Sequence, residues 1–231
     1  LGEAQMRALD AVTDPAELAR VAREGATRAV RSAAVTRLDD REALQGLARD
    51  DADASLRVAA LARLVQLDGA AGAHEVLARA ALEDGSPLVR KAAAERLDDP
   101  TLLERIARDD KDGGVRAAAS KATRRLKAEA LRREREAIER STDAAALARH
   151  AREHPLPEMR AAAVRALPDA QVLAAVARED KVVSVRREAV QRLADPALLA
   201  EIARQEKDSG LVKLAVTRID DPPTLEALAT D

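Results

Sequence analysis

The chain has 231 residues with 39 basic and 41 acidic side chains, a net charge of −2, 47% hydrophobic residues, and no Phe, Tyr, Trp or Cys. That hydrophobic share excludes a disordered polyampholyte, and the balanced charge gives no general attraction to nucleic acid or membrane. Without Cys there is no disulfide frame, no thiolate metal site and no Cys nucleophile.

The apolar residues are mostly Ala, Leu and Val, which with Arg and Glu favour helix, so composition alone predicts an all-α protein. A core without rings has to be built from small and branched aliphatics, which lets helix axes come close. No apolar run approaches the ~18 residues of a membrane span and no signal-peptide pattern opens the chain. The expected compartment is the cytoplasm. The sequence opens at Leu1 rather than Met, which we read as a missing natural start.

In chain order, one phrase recurs: Val-Arg-x-x-Ala-x-x-Arg-Leu, Asp-Pro, x-Leu-Leu-x-x-Ile-Ala-Arg and an acidic turn, clearest at Val89 to Arg108 and Val185 to Arg204. The residue closing the first half falls at Leu38, Leu64, Leu97, Thr123, Leu167, Leu193 and Ile219, in steps of 26, 33, 26, 44, 26 and 26. The alanine of the second half falls at Ala22, Ala48, Ala78, Ala107, Ala151, Ala177, Ala203 and Ala229, in steps of 26, 30, 29, 44, 26, 26 and 26. The unit is therefore 26 residues. One copy carries about seven extra residues, split between Gly69–Gly72 and Ala80–Gly85, and another carries eighteen between Arg124 and Ser141.

Each half predicts a helix. Val89, Ala92, Ala93 and Leu97 share one face at period 3.6, as do Leu103, Ile106 and Ala107. Asp99-Pro100, Asp195-Pro196 and Asp221-Pro222 read as an N-cap followed by Pro in the first turn. Ser55, Ser86, Ser184 and Ser209 sit just before the first helix and read as caps there. Helices of about ten residues fall below the ~12–15 needed for stability alone, so each has to stack on its neighbours.

The predicted fold is a right-handed α-solenoid of about eight short helical-pair repeats. It spans residues 1–231, with half-arrays 1–123 and 142–231 joined by a long charged helical insertion over 115–140. Leu225, Leu228 and Ala229 occupy core columns with no following repeat, which we read as an array cut from, or capped within, something larger.

These motifs resemble the HEAT-like repeats of bacterial solenoid proteins, and also the leucine-rich-variant repeat, in which a Val-Arg-x-Ala core alternates with a Pro-started, Leu-rich helix. The resemblance covers nearly the whole chain. HEAT repeats run ~40–47 residues, so the shorter unit predicts that one helix of some pairs is partly 3₁₀. The resemblance implies a binding scaffold, mostly for proteins and in a minority of families for nucleic acid. The Cys-ligated cluster of some leucine-rich-variant proteins has no residues here to carry it.

Four features are candidate sites. A ladder of Arg23, Arg49, Arg79, Arg108, Arg152, Arg178 and Arg204 closes the second helices and could meet a phosphate backbone or an acidic helix. The alternative is local neutralisation by Glu24, Asp50, Asp109, Glu153 and Glu179 together with the helix dipole. A second ladder, Arg31, Arg57, Arg90, Arg116, Arg160 and Arg186, reads as structural, since Asp53 and Asp112 stand four residues before Arg57 and Arg116 and predict Asp–Arg pairing between repeats.

The insertion is the third. Arg116 to Arg140 holds nine basic and four acidic residues, a local net of +5. Val115, Ala119, Ala122, Leu126 and Ala130 keep an apolar stripe, which Leu131 and Ile138 continue on a shifted face. One long helix is predicted, protruding from or bracing the array, with Lys121, Arg124, Arg125, Lys127, Arg132, Arg133 and Arg135 as its candidate contacts. Its alternative is a solvated bridge carrying pairs such as Glu129–Arg133 and Glu136–Arg140.

Last, His150 and His154 share a helix face at i, i+4, but no Cys supports a zinc site and His74 is the only other His. His150 falls in the apolar column of Leu47 and Ile106. Gly69-Ala-Ala-Gly72 follows no strand and lacks the Gly-Lys-Ser/Thr of a phosphate loop.

The sequence offers no catalytic residues, metal or cofactor. The expected function is a non-catalytic protein–protein interaction scaffold. The alternative is binding of a nucleic-acid backbone through the insertion and the Arg ladder, without the aromatic stacking of ~1–3 kcal/mol per base that single-strand binders use.

Overall fold

A computed structural model describes residues 7–230. Among the described residues all regular structure is α-helical, with no strand. After a helical stretch over 7–10, the helices are α1 (Pro15–Glu24), α2 (Arg28–Arg37), α3 (Arg41–Asp50), α4 (Ala54–Gly72), α5 (His74–Glu83), α6 (Pro87–Ala94), α7 (Pro100–Asp109) and α8 (Gly113–Arg140). They continue as α9 (Ala144–Glu153), α10 (Pro157–Ala166), α11 (Ala170–Glu179), α12 (Val183–Arg192), α13 (Pro196–Gln205), α14 (Ser209–Thr217) and α15 (Pro222–Ala229). The expected 3₁₀ character is not found among them. Ten residues, nearly three full turns, recur throughout as α-helix, and the short period is met by turns of only a few residues.

The odd-numbered helices other than α5, which follows Ala73 without a side-chain cap, start alike. Asp14, Asp40, Asp99, Asp143, Asp169, Asp195 and Asp221 each accept a backbone N–H of the first turn, which satisfies one of the four orphan donors of a helix start. The expected Asp-Pro starts hold at Asp99, Asp195 and Asp221. The serine caps do not. Ser55 and Ser209 lie inside their helices behind Asp53 and Asp208, which do the capping, Ser184 follows Val182, and Ser86 makes no side-chain cap bond. At Ser55 and Ser209 a carboxylate one or two residues upstream reaches the orphan N–H groups first.

The chain divides into two compact units between Glu129 and Ala130, inside α8. In the first unit neighbouring helices pack as α1 on α2, α3 on α4 and α5 on α6, and next-neighbours pack as α2 on α4, α4 on α6, α3 on α5 and α5 on α7. In the second unit α9 packs on α10, α11 on α12 and α13 on α14, with α10 on α12, α12 on α14, α9 on α11, α11 on α13 and α13 on α15. Contact with the next helix and the one after is consistent with a helical repeat.

The core of each unit is a column of Leu with Ala between. Leu38, Leu64 and Leu97 are buried in the first unit, and Leu167, Leu193 and Ile219 in the second. Each full burial contributes ~1.5–3 kcal/mol. The beginning of α8 gives Val115, Ala119 and Ala122 to the first core, with Leu126 packed against it. Near its end, Ile138 is buried in the core of the second unit. Ala130 and Leu131 between them are exposed, so the expected apolar stripe lapses there.

Helix α4 is longer than its counterparts and contains Gly69 at φ 72°, a kink that only glycine tolerates cheaply. The seven extra residues lie there in one block and are not split. Beyond it, Leu77, Ala80 and Ala81 are the buried residues of α5, matching Leu44, Leu47 and Ala48 of α3.

Candidate interaction surface

The arginines that begin the even-numbered helices are the most heavily used polar side chains in the molecule. Arg57 sends Nε and Nη2 to the two oxygens of Asp84, both at 2.8 Å, and Nη1 to Asp51 O at 2.7 Å. Arg90 does the same with Asp110 (2.8 and 3.1 Å) and Asp84 O (2.9 Å), Arg160 with Asp180 (2.6 and 3.0 Å) and His154 O (2.9 Å), and Arg186 with Glu206 (2.8 and 3.1 Å) and Asp180 O (2.9 Å). Arg31 pairs with Asp51 and donates to Ala22 O at 2.9 Å.

One guanidinium thus joins the carbonyl end of the preceding odd helix to a carboxylate at the end of the following one. Two parallel N–H···O bonds fix the geometry as well as the charge. The carboxylate is the residue just past an odd helix, and it also accepts the N–H two residues on. Asp84 takes Ser86 N, Asp110 takes Asp112 N, and Asp180 takes Val182 N, each at 2.8 Å.

Arg–Asp pairing between repeats was expected, but with other partners. Asp53 caps α4 and receives Arg28 at 2.5 Å, while Asp112 accepts Val115 N. The actual carboxylates lie 20 residues beyond Arg31, Arg90, Arg160 and Arg186, and 27 beyond Arg57, where α4 carries its extra block.

These groups are largely withdrawn from water: the side chains of Arg90 and Asp110 are 3% and 9% exposed. The Asp110 carboxyl is held below the usual carboxylate range by the Arg90 hydrogen bonds, against the opposing effect of burial, and Arg90 is raised in turn. At Asp180 burial pushes the carboxyl up, yet the Arg160 hydrogen bonds and the Val182 N–H hold it low overall.

A further column does related work, and sequence reasoning passed over it. Arg37, Arg63, Arg192 and Arg218 reach back to the carbonyl end of the preceding even helix or turn. Arg37 binds Leu9 O and, at 2.5 Å, Val12 O; Arg63 binds Leu38 O at 3.0 Å; Arg192 binds Leu167 O at 3.4 Å; Arg218 binds Leu193 O at 2.9 Å. The last carbonyls of a helix have no partner within it, and these arginines supply one. The Arg-Leu at the close of each first half was the available signal.

The ladder on the odd helices lies on the surface. Arg49 and Arg108 bind the adjacent Asp50 and Asp109, as expected. Arg178 instead pairs with Glu201 at 2.8 Å. Arg23 and Arg152 are exposed, and Arg204 has a partner. Arg79 leaves the ladder. The buried Ala81 fixes the register of α5, so Leu82, 42% exposed, stands in the arginine position, and Arg79 pairs with Glu83 at 3.4 Å.

On α8 the candidate cations are exposed but unequal. In the first unit Arg125 donates to Glu95 O at 3.1 Å and faces Glu129 at 3.7 Å, and Lys127 holds Glu104 at 2.8 Å. Lys121 and Arg124 form no ion pair among the described residues. In the second unit Arg132 holds Glu136 at 2.9 Å, with Arg140 at 3.8 Å from the same carboxylate, Arg133 has a partner, and Arg135 forms no ion pair among the described residues.

The two histidines are differently placed. Their ring centroids are 5.8 Å apart. His154 Nδ1 accepts Leu156 N at 3.2 Å, standing where other odd helices end in a carboxylate, and Nε2 faces Glu134 at 3.1 Å. Both nitrogens are engaged. Among the described residues no group of three His, Cys, Asp or Glu could hold a metal ion, and no helix is long and apolar enough to cross a membrane.

No protein-family profile matches the chain, and comparison with curated proteins finds no significant match.

Proposed function

We propose that the chain is a non-catalytic scaffold for a protein partner, a right-handed solenoid of about eight short HEAT-like pairs with the exposed part of α8 as a contact surface. The observation that carries this reading is the division of labour among the basic residues. Arg57, Arg90, Arg160 and Arg186 are consumed by internal carboxylates and carbonyls, while on α8 Lys121, Arg124 and Arg135 are exposed and form no ion pair among the described residues. Exposed cations grouped along one helix of local net charge +5 suit an acidic partner, which they would attract and orient.

The test is affinity capture with the immobilised full chain against the triple variant Lys121→Glu, Arg124→Glu and Arg135→Glu, after nuclease treatment of the extract. Partners retained by the parent chain and lost by the variant support the scaffold. Capture that is absent, or indifferent to charge reversal, refutes it.

A second reading rests on the same unpaired cations: contact with a nucleic-acid backbone. Log affinity for duplex DNA against log salt should then fall with a slope of about −0.9 per phosphate neutralised, and the triple variant should flatten it. No binding at low salt removes this reading.

A further inference from the structure

Arg116 occupies the same place as Arg57, Arg90, Arg160 and Arg186. It follows the buried Val115 in the first turn of α8 and sends Nη1 to Asp110 O at 2.7 Å, as Arg90 does to Asp84 O and Arg160 to His154 O. In those four the carbonyl bond fixes the guanidinium plane and turns the Nε–Nη2 edge onto a carboxylate. At Arg116 the carbonyl bond is made, yet among the described residues no carboxylate is paired with that edge.

The nearby acids of its own unit are committed elsewhere: Asp110 to Arg90, and Asp112 to the N–H of Val115. Gly113, one turn before, bears no side chain to cover the edge; a Cβ there would stand 3.6 Å from Nη2. We infer that the Nε–Nη2 edge of Arg116 is a binding site for a carboxylate, contributed by an Asp or Glu side chain of the protein partner. This rests on the scaffold reading above.

The physical case is preorganisation. Holding one N–H of the fork in place removes most of the rotamer freedom that a free arginine loses on binding, and a planar fork matches a carboxylate with two parallel bonds. The site selects a planar, two-oxygen anion, and the four occupied copies are its template. Lysine there would keep the charge and lose the fork.

The probe is sodium acetate, titrated at constant ionic strength into the full chain while arginine Nε–H resonances are followed by ¹⁵N NMR, with Arg116 assigned through Arg116→Lys. The Arg116 signal should move to the position of the paired Arg90 signal. It should saturate at an acetate concentration at least about tenfold below that needed to perturb the exposed Arg124, as a preoriented bidentate pair demands. Inorganic phosphate at equal ionic strength should compete less well.

A shift of Arg116 that is linear and no larger than that of Arg124 overturns the proposal. So does an Arg116 signal already at the paired position without acetate, or tighter binding of phosphate. The wild-type titration needs no variant to fold. If acetate fails while capture by the chain persists, only this site falls. If acetate binds and capture is absent, the scaffold reading falls and the site stands.

Discussion

Removing Asp110 should be among the most damaging single changes in the first unit. Asp110→Ala deletes both acceptors of Arg90, at 2.8 and 3.1 Å, and the acceptor of Asp112 N at 2.8 Å. Arg90 itself, 3% exposed, stays behind with its charge. Breaking a buried pair from one side costs ~3–5 kcal/mol, because the remaining ion has lost water and keeps only carbonyl partners on Nη1. The readout is urea unfolding followed by circular dichroism at the helix band. With a slope of ~2 kcal/mol per molar urea, the midpoint of the first unit's transition should fall by about 1.5–2.5 M. Asp109→Ala, which removes the exposed partner of Arg108, should leave the midpoint where it was. Equal effects of the two changes, or a shift below about 0.5 M for Asp110→Ala, would refute the argument that the ladder carries the stacking.

The same pairs set the response to acid. Asp110, Asp180 and Glu206 have folded-state pKa values below their ordinary ones, so their contribution is fully present above the unfolded carboxylate range and is lost as pH falls through the folded values. Stability should be level from pH 7 to about 5 and drop steeply below about 4, with a shallower drop in Asp110→Asn; acid-induced unfolding curves check it. Gly69→Ala meets no neighbour within 4 Å, so its cost is the backbone conformation alone, φ 72° and ψ 174°, a region essentially reserved to glycine, ~1–3 kcal/mol by thermal or urea unfolding. Leu82→Arg places the ladder's usual residue at an exposed site and should move stability by no more than ~0.5 kcal/mol; a larger loss would show that Leu82 is packed.

The all-helical class, the closing residues of each first half and the Asp-Pro starts were legible because each is a local pattern. Leu38, Leu64 and Leu97 are buried where the repeat spacing puts them, since a 26-residue period leaves one register for the apolar face. The register of α5 was misread because Ala78-Arg79 imitates the repeat three residues early. Only the kink at Gly69 decides how the seven extra residues are absorbed. The partners of the arginine ladder were missed for a different reason. Asp53 is near Arg57 in the chain, whereas Asp84 is near it in space, and spacing within one repeat carries no information about the next one's position. On α8 the cations were visible as a group, but which of them are neutralised depends on neighbours such as Glu104 and the Glu95 carbonyl.

The apolar interior of both units is built from Ala, Leu, Val, Ile and a single Met, without one Phe, Tyr or Trp. Such a protein is dark above the peptide absorption band: it has no 280 nm absorbance and no intrinsic fluorescence, and only three histidine rings are present to spread its methyl resonances, so crowded methyl spectra are the native signature and not a sign of unfolding. A single tryptophan placed at exposed Leu82 or Leu131 would then report on one known position with no background from the rest of the chain.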